Sequence, residues 1–486
     1  MNSFKTFLTF VLCAPAVQAA SCHELMEFAL PQAKITAANV PIQQSGVCRV
    51  AATLTPTPDS DIKIEVWLPQ ENWNGKYMAV GNGGWSGAIN YRALTDGVRR
   101  GYASSSTDTG HVGGSASFAL GHPEKLIDYA YRSEHEMVLA AKAITAAYYG
   151  KSARLAYWNG CSAGGKQGLK EAQQYPADFD GIVAGAPASN WTGRAAQAIW
   201  SAQAVHLTEA AYIPPTKYAY LHNAVLAQCD ALDGVKDGVI ENPMTCAFDP
   251  KVLECTGADA PQCLTRPQVE AARKLYSDSI NPRTGKHLYP GLQKGSELGW
   301  STWAGLQPLG IALDYFRYVV FQKSDWEFRT LNFDSDIARA EELDAHRINA
   351  TDPNLKPFFL HGGKLIQYHG WSDPQISPVN SIDYFRSVKA MTGSNADNSY
   401  RLFMVPGMGH CGGGEGTDSF DMVNALEQWV EQKKAPAQIL ASRIRNGKVE
   451  RTRPLCPYPQ VAVYSGQGSV DESANFTCRI PASNSL

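Results

Sequence analysis

The sequence lacks an excess of either charge. Its 43 lysines and arginines nearly balance 46 aspartates and glutamates, and the formal net charge is −3 at pH 7. No run of basic residues departs from this balance. Nucleic acids and anionic membrane surfaces attract clustered positive charge, so the sequence argues against both as partners. Internal repeats and low-complexity linkers are also missing, which excludes solenoid and linker-rich architectures.

The sequence also lacks a hydrophobic run long enough to cross a membrane. A transmembrane helix needs about 20 apolar residues, and the mostly apolar run at 7–12 is too short. That run follows a lysine and precedes a small-residue cleavage site at Ala19 or Ala20. We therefore predict that 1–20 is a signal peptide and that the protein is secreted or periplasmic. A lipid anchor on Cys22 is a weaker alternative, because Ala19 is a poor residue at the third position before a lipidated cysteine.

Cysteines, by contrast, are abundant. The chain has 11, and ten remain once Cys13 is removed with the predicted signal peptide. An even number in an exported chain predicts five disulfides, although the count alone does not give the pairing. Short spacing suggests four pairs: Cys22–Cys48, Cys229–Cys246, Cys255–Cys263 and Cys456–Cys478.

Residues 160–164 read Gly-Cys-Ser-Ala-Gly and fit the pattern G-x-S-x-G. They follow the strand-like run 155–158 and precede a predicted helix at 166–172. This context is typical of a nucleophile elbow, in which a sharp turn holds Ser162 at the carboxyl end of a strand. The alternative is a glycine-rich turn without a catalytic role.

Alternating strand and helix patterns surround this motif. The predicted strands are 62–68, 77–80, 101–105, 181–187, 364–370 and 401–405, and the predicted helices include 125–149 and 420–433. Such alternation predicts an α/β fold with a mostly parallel, doubly wound sheet. A glycine-rich loop follows the strand at 77–80, and Gly83 or Gly84 would supply the second oxyanion N–H beside that of Ala163.

The alternation disappears from about Trp191 to about Asp352. We predict a mostly helical lid domain at 191–352, inserted into a catalytic domain formed by 21–190 and 353–486. The lid is rich in aromatic residues: Trp191, Trp200, Trp300, Trp303, Trp326 and Tyr315. These aromatics would form either the core of the lid or the walls of an aromatic substrate pocket.

Three candidate catalytic residues each follow a predicted strand. Their chain order is Ser162, Asp373, His410, the order of α/β-hydrolases. His410 would accept the proton of the serine and later give it to the leaving alcohol, while Asp373 would orient the imidazole. Asp373 is alternatively a turn residue before Pro374. His369 is a rival base, but it precedes the aspartate and has no neighbouring cysteine.

Two cysteines without a short-range partner flank these residues. Cys161 precedes Ser162 and Cys411 follows His410. A disulfide holds its two Cα atoms about 4.4–6.8 Å apart, so this bond would bring the serine and the histidine together. The alternative is a simple staple that closes a long loop.

An acidic loop at 229–239 provides a second candidate site. Asp230, Asp233 and Asp237 alternate with glycines, and the carbonyls of Val235 and Val239 could add ligands. Oxygen ligands in this number favour a hard cation, most simply Ca²⁺. We predict a structural calcium site in the lid; an acidic turn without a ligand is the alternative.

Together these residues resemble the tannase and feruloyl esterase family. The matching segments are 160–165, 370–373, 409–411 and 230–239. The resemblance covers nearly the whole mature chain and implies an α/β-hydrolase core under a lid. It also implies a Cys161–Cys411 disulfide, the four short-range disulfides, and calcium at the acidic loop. Some members carry glutamate after the serine, where this chain has Ala163.

We therefore predict a secreted serine esterase that cleaves small esters of aromatic acids of the hydroxycinnamic or gallic type through an acyl-enzyme. One alternative is a hydrolase of other bulky esters, such as terephthalate monoesters. Another is a non-catalytic binding protein on a hydrolase fold, which an intact set of Ser162, Asp373 and His410 argues against.

Overall fold

A computed structural model describes residues 19–41 and 46–481 of the chain. The predicted signal peptide, apart from its last two residues, lies outside the described residues. The strands are β1 (Ala33–Asn39), β2 (Val47–Leu54), β3 (Ile62–Pro69), β4 (Lys76–Val80), β5 (Ala103–Thr107), β6 (Leu155–Cys161), β7 (Gly181–Gly185), β8 (Ser279–Ile280), β9 (His287–Tyr289), β10 (Lys364–Gly370), β11 (Tyr400–Val405), β12 (Ile439–Arg445), β13 (Lys448–Leu455), β14 (Val461–Tyr464) and β15 (Phe476–Arg479).

The helices lie between these strands and within one long insertion. They are α1 (Tyr91–Arg99), α2 (Pro123–Ile127), α3 (Ser133–Tyr149), α4 (Ala163–Gln174), α5 (Trp191–His206), α6 (Tyr218–Cys229), α7 (Arg266–Tyr276), α8 (Ser301–Ala304), α9 (Gly310–Asp314), α10 (Ser335–Asp344), α11 (Lys356–Leu360), α12 (Pro378–Thr392), α13 (Ser394–Asp397) and α14 (Met422–Gln432). The single helix predicted at 125–149 is interrupted by a π-helical turn, Asp128–Arg132.

A nine-stranded sheet with the order β1-β2-β3-β5-β4-β6-β7-β10-β11 forms the centre of the fold. The pairs from β5 to β11 are parallel, whereas β1, β2 and β3 pair antiparallel and β3 joins β5 antiparallel. The predicted α/β class with a mostly parallel sheet is confirmed. The antiparallel edge was not predicted.

The antiparallel and parallel halves of this sheet differ in how their strands are buried. In β2, buried and half-buried residues alternate, as expected for a strand with one face toward the core. Every residue of β4, β5 and β7 is buried, because helices cover both faces of the parallel half. The parallel strands therefore form a rigid base whose carboxyl ends carry the candidate site.

Residues 186–363, all of which the structure describes, add no strand to the sheet. Within them, the inserted segment (191–352) contains α5 to α10 and the short ribbon β8–β9. Its aromatic side chains are mainly core: Trp191, Trp300, Trp303 and Tyr315 are at most 1% exposed. The same hydrophobic cluster continues to Trp85 and Ala163 in the sheet half of the molecule.

Two ribbons, β12–β13 and β14–β15, close the chain. The described residues contain five disulfides, the same pairs that the sequence suggests: Cys22–Cys48, Cys161–Cys411, Cys229–Cys246, Cys255–Cys263 and Cys456–Cys478. Among residues 19–41 and 46–481, no helix has the length and hydrophobicity of a membrane span.

Candidate active site

Ser162 lies in a sharp turn between β6 and α4. Its backbone angles are φ 65° and ψ −122°, a conformation that side-chain-bearing residues rarely adopt. Hydrogen bonds hold the turn: the Ser162 N–H donates to Gly185 O at 2.9 Å, and the Ala188 N–H donates to Ser162 O at 3.1 Å. Strain that the surroundings enforce in this way is typical of functional positions.

Glycines permit this turn because backbone segments meet there without room for a side chain. A Cβ on Gly160 would lie 2.4 Å from the carbonyl oxygen of Gly164, and a Cβ on Gly81 would lie 2.4 Å from the Gly164 Cα. The start of α4 thus packs directly on the ends of β4 and β6. Any larger residue at these positions would push the serine out of place.

The predicted oxyanion donors surround this turn. The N–H of Ala163 is the first of α4 and so has no partner within the helix. The loop with Gly83 and Gly84 follows β4, and Gly84 has φ +50°. The Tyr129 hydroxyl donates to Gly84 O at 2.6 Å, which fixes the loop. These backbone groups can supply the two donors that a tetrahedral intermediate needs.

Asn82 anchors the same loop, a role that sequence reasoning missed. Its side-chain amide donates to Thr107 O at 2.8 Å and to Ala88 O at 2.9 Å. Its backbone N–H donates to the Gln167 side chain at 3.0 Å, and its carbonyl accepts from the Gly164 N–H at 2.8 Å. An asparagine flanked by glycines after a strand was the only sequence signal for this role.

Asp373 and His410 meet at the carboxyl ends of β10 and β11. The Nδ1–H of His410 donates to Asp373 Oδ2 at 2.7 Å. The other oxygen, Oδ1, accepts from the backbone N–H groups of Gln375 at 2.7 Å and Ile376 at 3.0 Å. Asp373 is fully buried, and the His410 side chain is 13% exposed. The pair has the geometry of an orienting carboxylate and an accessible base.

The Asp373 carboxylate is held as an anion. Burial by itself would raise the pKa of Asp373, but the charge of His410 and the hydrogen bonds from His369 and His410 outweigh it and lower that pKa. A carboxylate that stays ionised in a buried site can stabilise the imidazolium that forms when His410 takes a proton.

The disulfide Cys161–Cys411 joins the residue before Ser162 to the residue after His410, with the two Cα atoms 6.0 Å apart. The bond spans 250 residues of sequence and links the ends of β6 and β11. The structure therefore brings all three predicted catalytic residues to one edge of the sheet.

His369, the rival base, lies in a different setting. It is fully buried, and its Nε2 lies 3.1 Å from Asp373 Oδ2 and 3.1 Å from Ile376 O. Its Nδ1 lies 2.7 Å from the Ser381 hydroxyl. A buried ring with both nitrogens engaged cannot take a proton from Ser162. Sequence could not show this, because the strand pattern does not tell which residues of β10 face the core.

A cavity of about 350 Å³ opens beside His410. Its wall includes His222 from α6 and Glu415 from the loop that follows His410. The two nitrogens of His222 lie 2.8 Å from Glu297 and 2.8 Å from Glu415. Burial would lower the pKa of His222, but its hydrogen bonds to the two glutamates dominate and raise that pKa to about 9. His222 thereby connects the inserted segment to the loop that follows His410. No local sequence pattern predicts this contact.

The acidic loop folds around its own backbone. Asp230 accepts from the N–H groups of Asp237 at 3.1 Å and Gly238 at 3.0 Å, and Asp233 accepts from Val235 N–H at 2.9 Å. The Asp237 carboxylate also meets Arg453. Arg451 pairs with Asp237 as well, so the positive charge near the loop lies on the side of Asp237.

Burial and neighbouring charges perturb the carboxylates of the loop. Loss of solvent and the nearby charges of Asp237 and Asp230 raise the pKa of Asp233 to about 6. Burial raises the pKa of Asp237 too, although Arg451 and Arg453 oppose that shift. A divalent cation would relieve this repulsion, and the donor set of carboxylate and carbonyl oxygens fits a hard ion.

Two groups of potential metal ligands in the described part of the chain have their ligand atoms within 4.8 Å of one another: His135 with Glu171 and Asp178, and Cys255 with Asp259 and Cys263. The carboxylates of Asp230, Asp233 and Asp237 are not gathered this closely. The second contains a disulfide, so its sulfurs are not available as thiolate ligands. In the first, His135 Nδ1 lies 2.7 Å from Asp178 Oδ2, as in an ordinary ion pair. Neither group is a set of oxygen ligands alone, as the acidic loop is.

Comparison with known proteins gives a family for this geometry. A family model described as tannase and feruloyl esterase matches residues 47–479. An uncharacterized esterase of Xanthomonas campestris pv. campestris is 38% identical, with 96% of this chain and 92% of that protein aligned. A probable feruloyl esterase B-2 of Aspergillus terreus is 35% identical, with 89% and 86% aligned.

Solved structures agree with these sequence matches. Feruloyl esterase B from Aspergillus oryzae has a TM-score of 0.88 and 31% identity, covering 94% of this chain and 99% of that chain. An esterase from the same species has a TM-score of 0.89 and 32% identity with the same coverage. Both comparisons include the sheet and the inserted segment.

Proposed function

The chain belongs to the tannase and feruloyl esterase family and is an ester hydrolase, and from that premise we propose that it is an exported serine esterase for esters of aromatic acids. One observation carries the serine mechanism: the buried Asp373 holds His410 at 2.7 Å, and a disulfide ties His410 to the strained turn of Ser162. A merely structural turn would need none of these features together.

In the first half of the reaction, the Ser162 oxygen attacks the ester carbonyl while the Nε2 of His410 takes its proton. Asp373 stabilises the resulting imidazolium through the Nδ1–H bond. The N–H groups of Ala163 and of Gly83 or Gly84 hold the negative oxygen of the tetrahedral intermediate. His410 then gives the proton to the leaving alcohol, and an acyl-Ser162 remains.

In the second half, His410 takes a proton from water, and the resulting hydroxide attacks the acyl group. The tetrahedral intermediate collapses, Ser162 recovers its proton, and the free acid leaves. The His410 side chain is partly exposed and borders a cavity, so water can reach it.

The substrate class rests on the relatives. The A. terreus and A. oryzae proteins are named feruloyl esterases, and the family description adds tannase. Ferulic and gallic acids share a phenolic ring conjugated to the carbonyl, through a vinyl group in ferulic acid and directly in gallic acid. We therefore propose a small ester with an aromatic acid part as the substrate.

We further propose that Ca²⁺ binds the acidic loop through Asp230, Asp233 and Asp237 with the carbonyls of Val235 and Val239. The ion would neutralise the repulsion that raises the pKa of Asp233. It would stabilise the inserted segment beside β13, where Arg451 and Arg453 pair with Asp237. It would take no part in the chemistry. Five disulfides support export, since such bonds persist in oxidising compartments.

The test is an assay of the purified protein on methyl ferulate, methyl gallate, a terephthalate monoester and short p-nitrophenyl esters, with S162A as the control. We expect fast turnover of at least one aromatic-acid ester and loss of that activity in S162A. Turnover of p-nitrophenyl esters alone would contradict the aromatic-acid class. Preference for the terephthalate monoester would favour the alternative, a hydrolase of other bulky esters. Unchanged turnover in S162A would contradict the serine mechanism.

A further inference from the structure

His369 is a buried histidine that the proposed mechanism leaves without a role. It lies near the end of β10, four residues before Asp373, and it is fully buried. Its Nε2 lies 3.1 Å from Asp373 Oδ2, the same oxygen that His410 binds at 2.7 Å. Two imidazoles therefore share one carboxylate oxygen, one from inside the protein and one from the substrate side.

The surroundings fix the protonation of the His369 ring. Nε2 faces two acceptors, Asp373 Oδ2 and the carbonyl of Ile376, so it must carry a proton. Nδ1 lies 2.7 Å from the hydroxyl of Ser381 in the first turn of α12. A hydroxyl can donate to an unprotonated nitrogen, so these contacts accommodate the tautomer with its proton on Nε2.

We propose that His369 is a positioning residue that holds the catalytic carboxylate and limits the basicity of His410. The proposal rests on the proposed serine mechanism. With His369, each oxygen of Asp373 has two donors: two backbone N–H groups on Oδ1, and His410 and His369 on Oδ2. An ionised carboxylate offers about four acceptor positions, so all of them are filled.

Two consequences follow from this arrangement. Four donors fix the rotation of the carboxylate, so Oδ2 stays aimed at His410. The donor from His369 also takes up part of the negative charge on Oδ2, which weakens the pull of that oxygen on the proton of His410. Without His369, Oδ2 would keep only the donor from His410, so the carboxylate would be oriented less firmly and the His410 imidazolium would be held more strongly.

Other charged groups surround this pair, and the test must keep them constant. Arg194 and Tyr289 of the inserted segment interact with the charge of Asp373. Glu415 and His222 line the cavity. Asp418 accepts a hydrogen bond from the Gly413 N–H. None of them changes in the variants below, so a shifted pH profile can be assigned to His369.

The experiment compares H369Q with H369N. The glutamine amide nitrogen reaches about as far as Nε2 and can still donate to Asp373, whereas the shorter asparagine amide ends near Nδ1 and cannot. Both variants keep a polar amide in the same buried space, so they form a matched pair. For each, kcat and KM are measured across pH on a short p-nitrophenyl ester, normalised by the burst of p-nitrophenol.

For H369N we expect a fall in kcat of about 10- to 100-fold at nearly constant KM. The acid limb of its kcat/KM profile should move upward by about half a pH unit to one pH unit. H369Q should keep the wild-type acid limb and most of kcat. Equal behaviour of the two variants, or an unmoved acid limb in H369N, would overturn the proposal.

Two controls separate this inference from the proposed function. If S162A is inactive while H369N matches the wild type, only the role of His369 fails; if S162A remains active, the serine mechanism itself fails. Should H369N not fold, ¹⁵N-histidine NMR of the wild type decides, with H369Q assigning the signal. A neutral ring protonated on Nε2 supports the proposal, and a ring protonated on Nδ1 contradicts it.

Discussion

Buried carboxylates occur in two regions of this molecule, and they are treated in opposite ways. At the carboxyl edge of the sheet, Asp373 receives four hydrogen bonds and its pKa is lowered. In the acidic loop, burial and the charges of neighbouring carboxylates raise the pKa values of Asp233 and Asp237. The fold already compensates the charge of Asp373, whereas the carboxylates of the loop have too little positive charge around them.

We infer that the difference separates a catalytic from a structural use of negative charge. A compensated, immobile anion can respond to a charge that appears during a reaction without reorganising. A group of uncompensated anions instead binds whatever cation restores neutrality. We therefore expect mutations at the sheet edge to change rates, and mutations at the acidic loop to change stability.

The sharpest form of this comparison is D373N against D237N. Both remove one buried carboxylate and keep the side-chain size. Loss of the orienting carboxylate of a catalytic triad lowers kcat by about 10⁴-fold, so we expect this for D373N with little change in melting temperature. D237N should keep kcat within about threefold and melt at a lower temperature. Steady-state kinetics and calorimetry on both variants check the contrast, and a reversed pattern would end it.

Removal of calcium should affect stability alone. With Ca²⁺ at one thousand times its Kd, binding to the native state adds about 4 kcal/mol to the free energy of unfolding. Chelator titration during thermal unfolding measures this increment, and equal melting with and without chelator would contradict the site.

The calcium increment should also depend on pH. Since the pKa of Asp233 is raised from 3.8 to about 6, its charge destabilises the cation-free fold as pH rises through that range. Calcium binds the charged form and removes this penalty. The stabilisation by calcium should therefore grow between pH 4 and pH 7. D233N, which carries no charge there, should show a flatter dependence.

Two disulfides allow the same comparison between the regions. Loss of Cys161–Cys411 in C161A/C411A should loosen Ser162 against His410 and lower kcat by about 100-fold. Loss of Cys255–Cys263 in the inserted segment, eight residues apart in sequence, should leave kcat nearly unchanged. Near-ultraviolet circular dichroism reports whether the fold persists in each variant. Equal loss of activity in both would refute a local role for the first bond.

His222 provides the smallest expected effect, because it joins the two regions through a partly exposed partner. Its pKa is raised from 6.5 to about 9, so its charged form stabilises the fold fully below pH 6.5. A shift of this size corresponds to about 3 kcal/mol. Solvent around the Glu415 side chain, which is 43% exposed, screens part of it, so about 2 kcal/mol should disappear as pH rises through 9. H222Q keeps a hydrogen-bonding amide beside the glutamates but cannot titrate. Urea unfolding of both proteins at pH 6 and pH 9.5 should show the loss in the wild type only.

Much of the sheet edge was predictable from the sequence. Ser162 stands in a glycine motif between a strand and a helix, and Asp373 and His410 each follow an apolar run. The two cysteines beside Ser162 and His410 add a long-range constraint that ordinary sequences lack. Local patterns and one covalent link were enough to bring three distant residues together.

The contacts that support these residues were less predictable. His369 was interpreted as a rival base, because its place on β10 does not reveal which neighbours surround it. Glu415 lies 193 residues from His222, and nothing local connects the two. The edge strand β1 contains three alanines in seven residues, so its strand propensity is weak. Tertiary packing, not local pattern, decides such features.

We propose that Ser162 carries the acyl group in a site where Asp373 and His410 are already positioned. The most direct measurement is mass spectrometry of peptides after a p-nitrophenyl ester reaction is quenched with acid in the first turnover. We expect one acyl group, on the peptide that contains Ser162, and none in S162A. An unmodified Ser162 peptide despite a burst of p-nitrophenol, or an acyl group on another residue, would contradict the account.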